Sequence, residues 1–304
     1  MVELLLREGH DVSVIDDLST GAIENLHAVR DHKRFKYVID TMMNRQVLDE
    51  LVAEVDVVFH FAAAVGVRLI VESPVRTIET NIKGTEQVLE SANRERKKVI
   101  VASTSEVYGK GEKVPYSEDD DLILGPTIKG RWSYACSKAI DEFLALAYWK
   151  EKALPVVIVR LFNTVGPRQT GQYGMVIPTF VKQALLGHPI TVFGDGKQSR
   201  CFCHVSDVVS VLNRLSQLPE AVGQIVNVGT NQEITMNQLA ELVKEMTRSA
   251  SSIAHIPYDQ AYEEGFEDMR RRIPNVSKML RLTNYVPQKG ISDILRDVIA
   301  YHRQ

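Results

Sequence analysis

The chain of 304 residues is poor in several features, each of which would have pointed to a class of protein. No apolar run approaches the roughly eighteen residues needed to span a bilayer, and the N-terminal stretch lacks the basic, apolar and small-residue layout of a secretory signal. These two absences predict a cytoplasmic protein with no membrane partner. Cysteine is scarce: Cys136, Cys201 and Cys203 are odd in number and lack metal-ligand spacing. They predict buried free thiols in a reducing compartment rather than disulfides, and no structural metal. Positive charge is not in excess either, since 36 Lys and Arg face 39 Asp and Glu for a formal charge of -3. A general nucleic-acid binder carries a basic face, so that class is disfavoured. Internal repeats and low-complexity tracts are also missing.

What is present suits a globular fold with one large or two medium cores, at 44% hydrophobic and 25% charged residues. Runs rich in Val and Ile recur at 12–15, 36–39, 56–61, 98–102 and 155–161, each separated by a stretch of helical character. That alternation predicts an α/β fold whose parallel sheet is covered by helices on both faces. Arg45 to Ala53, Val75 to Asn93, Ser137 to Trp149, Thr235 to Thr247 and Ile291 to His302 read as helices, and Asn227-Val228-Gly229 reads as a strand end. After Pro167 the pattern loosens. The expected division is therefore 1–166 for the sheet domain, which also receives segments near 202–230, and 167–304 for a smaller, interleaved domain.

Chemistry is concentrated in Tyr134-Ala-Cys-Ser-Lys138 and in the cluster Ser103-Thr104-Ser105-Glu106-Val107-Tyr108-Gly109 upstream of it. On a helix, residues four apart share a face, so phenol and ammonium become neighbours. A lysine cation beside a tyrosine favours the phenolate, which then takes or returns a proton near neutral pH. A hydroxyl such as that of Thr104 completes the device. By itself Tyr-x-x-x-Lys also fits a surface pair on an amphipathic helix. His60, inside an apolar strand end, reads as a satisfied core histidine.

These motifs resemble those of the extended short-chain dehydrogenase/reductase family, among its nucleotide-sugar epimerases, dehydratases and decarboxylases. The likeness runs from about Val2 to Arg303. Val-Ile-Asp-Asp-Leu-Ser-Thr-Gly (14–21), Val-Phe-His-Phe-Ala-Ala (58–63), Asn81-Ile-Lys-Gly-Thr85, Arg-Leu-Phe-Asn (160–163) and Gly-Pro-Arg (166–168) carry it together with the two clusters above. It implies a Rossmann-like, doubly wound parallel sheet with a mixed C-terminal substrate domain, NAD as cofactor, and a nucleotide sugar, expected to be a UDP-sugar, as substrate. Family members open with a strand and a Gly-x-x-Gly-x-x-Gly loop that cradles the cofactor pyrophosphate, and both are absent ahead of Glu3 to Arg7 here. Since that strand lies in mid-sheet, its neighbours are expected to lack a partner. A misplaced start and a natural degenerate copy both fit.

By the resemblance, Asp16 at the end of the second strand binds the adenosine ribose and disfavours a 2'-phosphate; an ordinary turn Asp is the plainer alternative. Asp40 and Thr41 should approach the adenine, Ala62 and Ala63 the pyrophosphate and ribose, and Asn81 the inner cofactor shell. Tyr134 and Lys138 serve both cofactor and catalysis, with Thr104 on the developing carbonyl. Thr104-Ser105-Glu106 matches nucleotide-sugar decarboxylases, as do Arg131-Trp132 and the run Gly265 to Pro274. On that parallel Ser105 assists, and Glu106 steers the sugar or relays a proton, unless it is a loop acid capping an amide. Arg272 protonates or holds the sugar, or binds the diphosphate, unless 270–272 is a solvated basic run. Arg200 is expected on the diphosphate, Asn163 on the substrate, and Val192 and Phe193 near the base. A UDP-glucuronate decarboxylase is preferred to a UDP-glucose 4-epimerase, with a non-catalytic nucleotide-sugar-binding remnant as the alternative of another class. Relatives form homodimers through a four-helix bundle, which the apolar residues around Val88 and Phe143 to Ala147 would suit.

Overall fold

A computed structural model describes residues 1–66, 73–171, 175–257 and 269–303. After the short helix α1 (Val2–Arg7), strands β1 (Val12–Asp16) and β2 (Phe35–Ile39) pair in parallel. Helix α2 (Arg45–Ala53) leads into β3 (Val57–His60), and the long helix α3 (Pro74–Arg94) into β4 (Lys98–Thr104). Helix α4 (Trp132–Lys152) then precedes β5 (Val156–Leu161).

Alternation along β4 and β5 explains why helices cover both faces. Val99 and Val101 of β4, with Val156 and Ile158 of β5, pack against Leu48 and Val52 of α2, Val88, Leu89 and Ala92 of α3, and Ala145 of α4. Ile100, Val157 and Val159 point the other way, onto Val208, Val211, Leu212 and Leu215. Those last four lie on a helix the sequence pattern had not marked, α6 (Val205–Gln217). It follows four further strands, among them β6 (Thr164–Val165), which pairs with β9 (Cys203–His204), and β8 (Ser199–Cys201), just before β9. Helix α5 (Val176–Leu185) and β7 (Ile190–Phe193) lie between β6 and β8. With period two, a strand buried on both faces reads as a continuous Val and Ile run, which is why these strands were legible.

Beyond α6, β10 (Ile225–Val228) joins β5 in a four-stranded parallel sheet of order β10, β5, β4, β3. Strands β1 and β2 form a separate two-stranded sheet. Among the described residues, no strand pairs with the outer edge of β3 or with the second edge of β1. Burial follows from this. Most residues of β1 and of β3 are half-buried, whereas β5 is buried along nearly its whole length.

The C-terminal half supplies β11 (Glu233–Thr235), α7 (Met236–Thr247), β12 (Ile253–Ile256), β13 (Arg271–Arg272), α8 (Ser277–Thr283) and α9 (Ile291–His302). A second core gathers α5, α7 and α9 around Ile177, Val181, Leu239, Val243, Leu295 and Val298. Thr235 opens α7 with a reciprocal cap, its hydroxyl accepting the Gln238 amide.

Helix α4 begins at Trp132, earlier than the periodicity alone predicts. Its outward stripe is Cys136, Ile140 and Phe143, at helical spacing, so Cys136 is exposed instead of buried; Cys201 and Cys203 are buried thiols. Val88 is 3% exposed and belongs to the core described above, so it offers nothing to a partner surface. No helix among the described residues is long and apolar enough to cross a membrane. Gly265 to Asp268 of the sequence motif lie outside the described residues.

Candidate active site

Parallel pairing places the carboxyl ends of β3, β4, β5 and β10 on one edge, the place where α/β sheets of this kind bind ligands. Thr104 is the last residue of β4, and Asn163 lies two residues past the end of β5. The chain turns sharply after Thr104, whose hydroxyl accepts the Glu106 amide at 3.2 Å. That cap aims the hydroxyl and the Glu106 side chain into the same space. Ser105, in the same turn, is buried.

Glu106 is gripped from two sides. Arg272 Nη1 donates to Oε1, and Arg131 Nη1 lies 3.1 Å from Oε2. Burial alone would push this carboxyl up, but the Arg272 and Arg131 charges and the Arg272 hydrogen bond, helped by Arg200, hold it down at about 2. Arg272 also donates through Nη2 to Asn163 Oδ1 at 2.7 Å. Arg200 stands opposite Arg272 in the parallel register of β8 and β13, so two guanidinium groups leave neighbouring strands together. Arg131 is set by packing: its guanidinium lies 5.2 Å from the centroid of the Trp132 ring, and a methyl on Gly125 would collide with that ring. Three arginines thus surround one carboxylate, all of them less than a tenth exposed.

Tyr134 is 8% exposed on α4. Burial pushes its phenol well above the usual tyrosine range, the nearby Glu106 charge adds to this, and the Thr104 hydroxyl opposes it by hydrogen bonding. Lys138, one turn after Tyr134 on the same helix, is paired with a carboxylate. Its Nζ donates to Asp141 Oδ2 at 2.7 Å, and both side chains are all but excluded from solvent. The reason is charge: a buried ammonium takes the nearest carboxylate, and Asp141 is one helical turn away.

Behind these groups lies a rigid polar frame. Arg160 of β5 makes a two-pronged bond to Glu142 of α4, at 2.9 and 2.7 Å, and Ser103 donates to the same carboxylate. The Arg160 guanidinium also covers the Tyr108 ring, whose hydroxyl donates to Asn227 at 2.7 Å. Asn81 of α3 binds the Ala64 amide at 2.8 Å and the Ser137 hydroxyl at 3.1 Å, tying the loop after β3 to α4. His60 is 4% exposed and bonds Thr85 Oγ1 at 2.9 Å.

The candidate cofactor residues sit at strand ends. Asp16 is exposed; its Oδ1 accepts the Leu18 amide at 2.7 Å, and Oδ2 takes no hydrogen bond among the described residues. One carboxylate therefore makes the turn and still has an oxygen for a ribose diol. Asp40 accepts from the Thr41 amide and from Asn44 at 2.7 Å each, so this pair first serves the start of α2. Ala62 is exposed and Ala63 half-buried. Val192 is a correction: fully buried in the second core, it has no surface for a nucleotide base, whereas Phe193 is half-buried at the strand end. Arg131, Asp141 and Glu142 were missed as functional candidates; only Arg131 had a signal, its place in the Arg-Trp motif. No group of His, Cys, Asp and Glu among the described residues could hold a metal ion.

Residues 1–298 match the family model described as GDP-mannose 4,6 dehydratase. A UDP-N-acetyl-alpha-D-glucosaminuronate decarboxylase of Bacillus cytotoxicus is 39% identical, the match covering all of this chain and 94% of that protein. UDP-glucuronic acid decarboxylase 1 of Xenopus tropicalis is 33% identical, over all of this chain and 69% of its own length. Among solved structures, UDP-glucuronic acid 4-epimerase from Bacillus cereus, in complex with UDP-glucuronic acid and NAD, superposes with a TM-score of 0.88 at 26% identity, over 99% of this chain and 94% of that one.

Proposed function

The chain belongs to the GDP-mannose 4,6 dehydratase family of NAD-dependent nucleotide-sugar enzymes, and from that premise we propose that it decarboxylates a UDP-linked uronic acid through a 4-keto sugar. The observation that carries the reading is the Arg131, Arg200 and Arg272 cluster around Glu106, beside Tyr134 and Thr104. Three cations against one carboxylate leave an excess of positive charge in a dry pocket, which an anionic ligand would neutralise. Arg272 Nε is buried without a hydrogen-bond partner among the described residues, and a carboxylate or phosphate oxygen would satisfy it.

At the ribose and nicotinamide ends the residues fit NAD through the exposed Asp16 carboxylate and through Tyr134 beside Thr104, while Asn81 and Lys138 are buried and paired with neighbouring residues; a glycine cradle for the pyrophosphate is not found among the described residues. When bound, NAD supplies a two-electron hydride acceptor. Tyr134 exchanges the proton of the C4 hydroxyl, and Thr104 donates to the oxygen as it becomes a carbonyl. The C6 carboxylate is then beta to a ketone. As carbon dioxide leaves, the C5–C6 electron pair passes into an enolate whose oxygen the same two hydroxyls hold, while Arg272 orients the departing carboxylate.

Incubation of the protein and NAD with UDP-glucuronate, and separately with its 2-acetamido analogue, tests this. The expected products are carbon dioxide and a UDP-pentose or its 4-keto form, one gas molecule per uronate consumed. Conversion to the 4-epimer without gas would replace the reading by the second one, a nucleotide-sugar 4-epimerase, which the likeness to the Bacillus cereus structure favours. We further propose a cytoplasmic homodimer joined through the outer faces of α3 and α4, where Val75, Ile78, Ile140 and Phe143 are exposed. Sedimentation of Phe143→Lys as a monomer would support that face, and an unchanged dimer would exclude it.

A further inference from the structure

Arg200 and Arg272 reach the site from two short strands. Strand β13 consists of Arg271 and Arg272 alone, and it pairs with β8 so that Arg271 stands opposite Ser199 and Arg272 opposite Arg200. Beside that register, Ser199 N donates to Arg270 O at 2.9 Å and Tyr116 N to Ile273 O at 2.8 Å. Side chains alternate along a strand, so Arg272 turns into the site while Arg271 turns to the opposite face. On that face stands Glu233 of β11, the strand on the other side of β8. Its carboxylate accepts a two-pronged bond from Arg271, through Nε and Nη2 at 2.8 Å each, and the Ser199 hydroxyl donates to it as well. One carboxylate thus grips the residue immediately before each of the two site arginines. The Arg271 bond, joined by that of Ser199, keeps the Glu233 carboxyl below its usual range although burial opposes this.

We propose that Glu233 is a positioning residue for the anionic groups of the substrate: by tying Arg271 and Ser199 together, it fixes where Arg272 and Arg200 stand relative to each other. This rests on the reading of Arg272 as the guanidinium that receives the uronate carboxylate. The coupling is short, because successive residues of a strand are only about 3.3 Å apart and a displacement of Arg271 is carried directly to Arg272. Glu106 and Asn163 hold only the tip of the Arg272 side chain, at Nη1 and Nη2. Glu233 acts at its base, through the neighbouring residue. A guanidinium fixed at both ends points in one direction before the ligand arrives. The Arg271 and Glu233 side chains are 54% and 27% exposed, so their pair adds little to overall stability. Its effect is geometric: β11, β8 and β13 form one small sheet, and all three strands meet at this carboxylate.

The test is binding without turnover. With NAD in excess and in the slow Tyr134→Phe background, calorimetry gives the affinities for UDP-glucuronate, UDP-glucose and UDP. That background protein should prefer UDP-glucuronate to UDP-glucose. Adding Glu233→Gln should reduce the preference by up to about fivefold, the range of a pair exposed to this degree, and weaken UDP by about twofold through Arg200. Charge reversal supplies a control that the mere loss of a surface contact would not pass. Glu233→Arg and Arg271→Glu should each lower the preference, and the two together should restore most of it. Unchanged preference and unchanged UDP affinity in folded Glu233→Gln would overturn the proposal. A background protein with no preference for the uronate would sink the decarboxylase reading; weaker UDP binding in Glu233→Gln would then still support the clamp, and unaltered UDP binding would overturn it. Should Glu233→Gln fail to fold, Arg271→Gln applies, since that side chain is exposed and its removal leaves the Ser199 bond in place. It should lower the preference in the same direction, and no change there would equally overturn the assignment.

Discussion

His60 ties the chemistry of the site to acid stability in a way that can be calculated. Burial, and then the Lys138 charge, lower its imidazole from 6.5 to about 3. Its folded value is depressed, so as pH falls below 6.5 only the unfolded chain takes up the proton. Stability from this residue is complete above that point and drains away as pH falls toward the folded value. Linkage gives a loss of about 2 kcal/mol between about pH 7.5 and about pH 5. At about pH 5 the folded imidazole is still neutral, so the loss over this range comes from protonation of the unfolded chain. Urea unfolding of the protein and of His60→Gln at the two pH values measures it. Each variant will have its own stability at neutral pH, but the comparison uses only the change with pH, in which the other histidines cancel. Parent stability should fall by about 2 kcal/mol more than that of His60→Gln. Equal slopes would refute the reasoning, because they would mean that the buried imidazole titrates as it does in water.

Glu106→Gln should cost about 3 kcal/mol at neutral pH, because the folded carboxyl is held at about 2, and the deficit should shrink to about half by about pH 3 in urea titrations as the carboxylate of the unfolded parent chain takes up its proton. Glu142→Gln breaks the two-pronged bond to Arg160 and leaves that guanidinium buried beside a neutral amide, so a loss of about 3–5 kcal/mol in denaturant unfolding is expected. Tyr134→Phe should lower kcat by at least about a hundredfold while nucleotide-sugar affinity measured by calorimetry stays within a few fold, as for loss of a proton-transfer group.

The parts of this fold that the sequence displayed are those where one residue type repeats for a single reason. Val99, Ile100 and Val101 are apolar because both faces of β4 are covered, and helix α2 ends where its apolar spacing ends. Helix α6 stayed hidden because its buried positions include Asp207, Asn213 and Ser216, polar residues of which the first two meet partners far away in the chain. Asp207 accepts from Tyr285 at 2.7 Å, and Asn213 donates to Glu8 at 2.7 Å. Side-chain pairing was harder still. Spacing alone places Lys138 one turn from Tyr134, but it does not show that the ammonium pairs with Asp141, whose own surroundings are Thr85 and His60 on other elements. Val192 failed for a related reason: alternation in a short strand shows that one face is buried without showing which.

The charge arithmetic of the site favours a uronic acid over a neutral sugar. Glu106 holds Arg272 and Arg131 with its two oxygens, and Arg200 lies alongside Arg272 in register. A diphosphate alone could balance the two charges in excess. A carboxylate brought in by the substrate needs a guanidinium nitrogen to bind, and Arg272 Nε has no hydrogen-bond partner among the described residues. Since Arg272 is also bound to Glu106 and Asn163, an arriving carboxylate meets a cation whose direction is fixed by two other groups. A freely rotating lysine would have to be ordered at the moment of binding. An arginine held in this way loses little entropy when the ligand adds a further bond, and its plane restricts where the leaving carboxylate can lie. Neutral hexoses would make no use of that restriction, and the fixed guanidinium would then remain partly unsatisfied in a dry pocket.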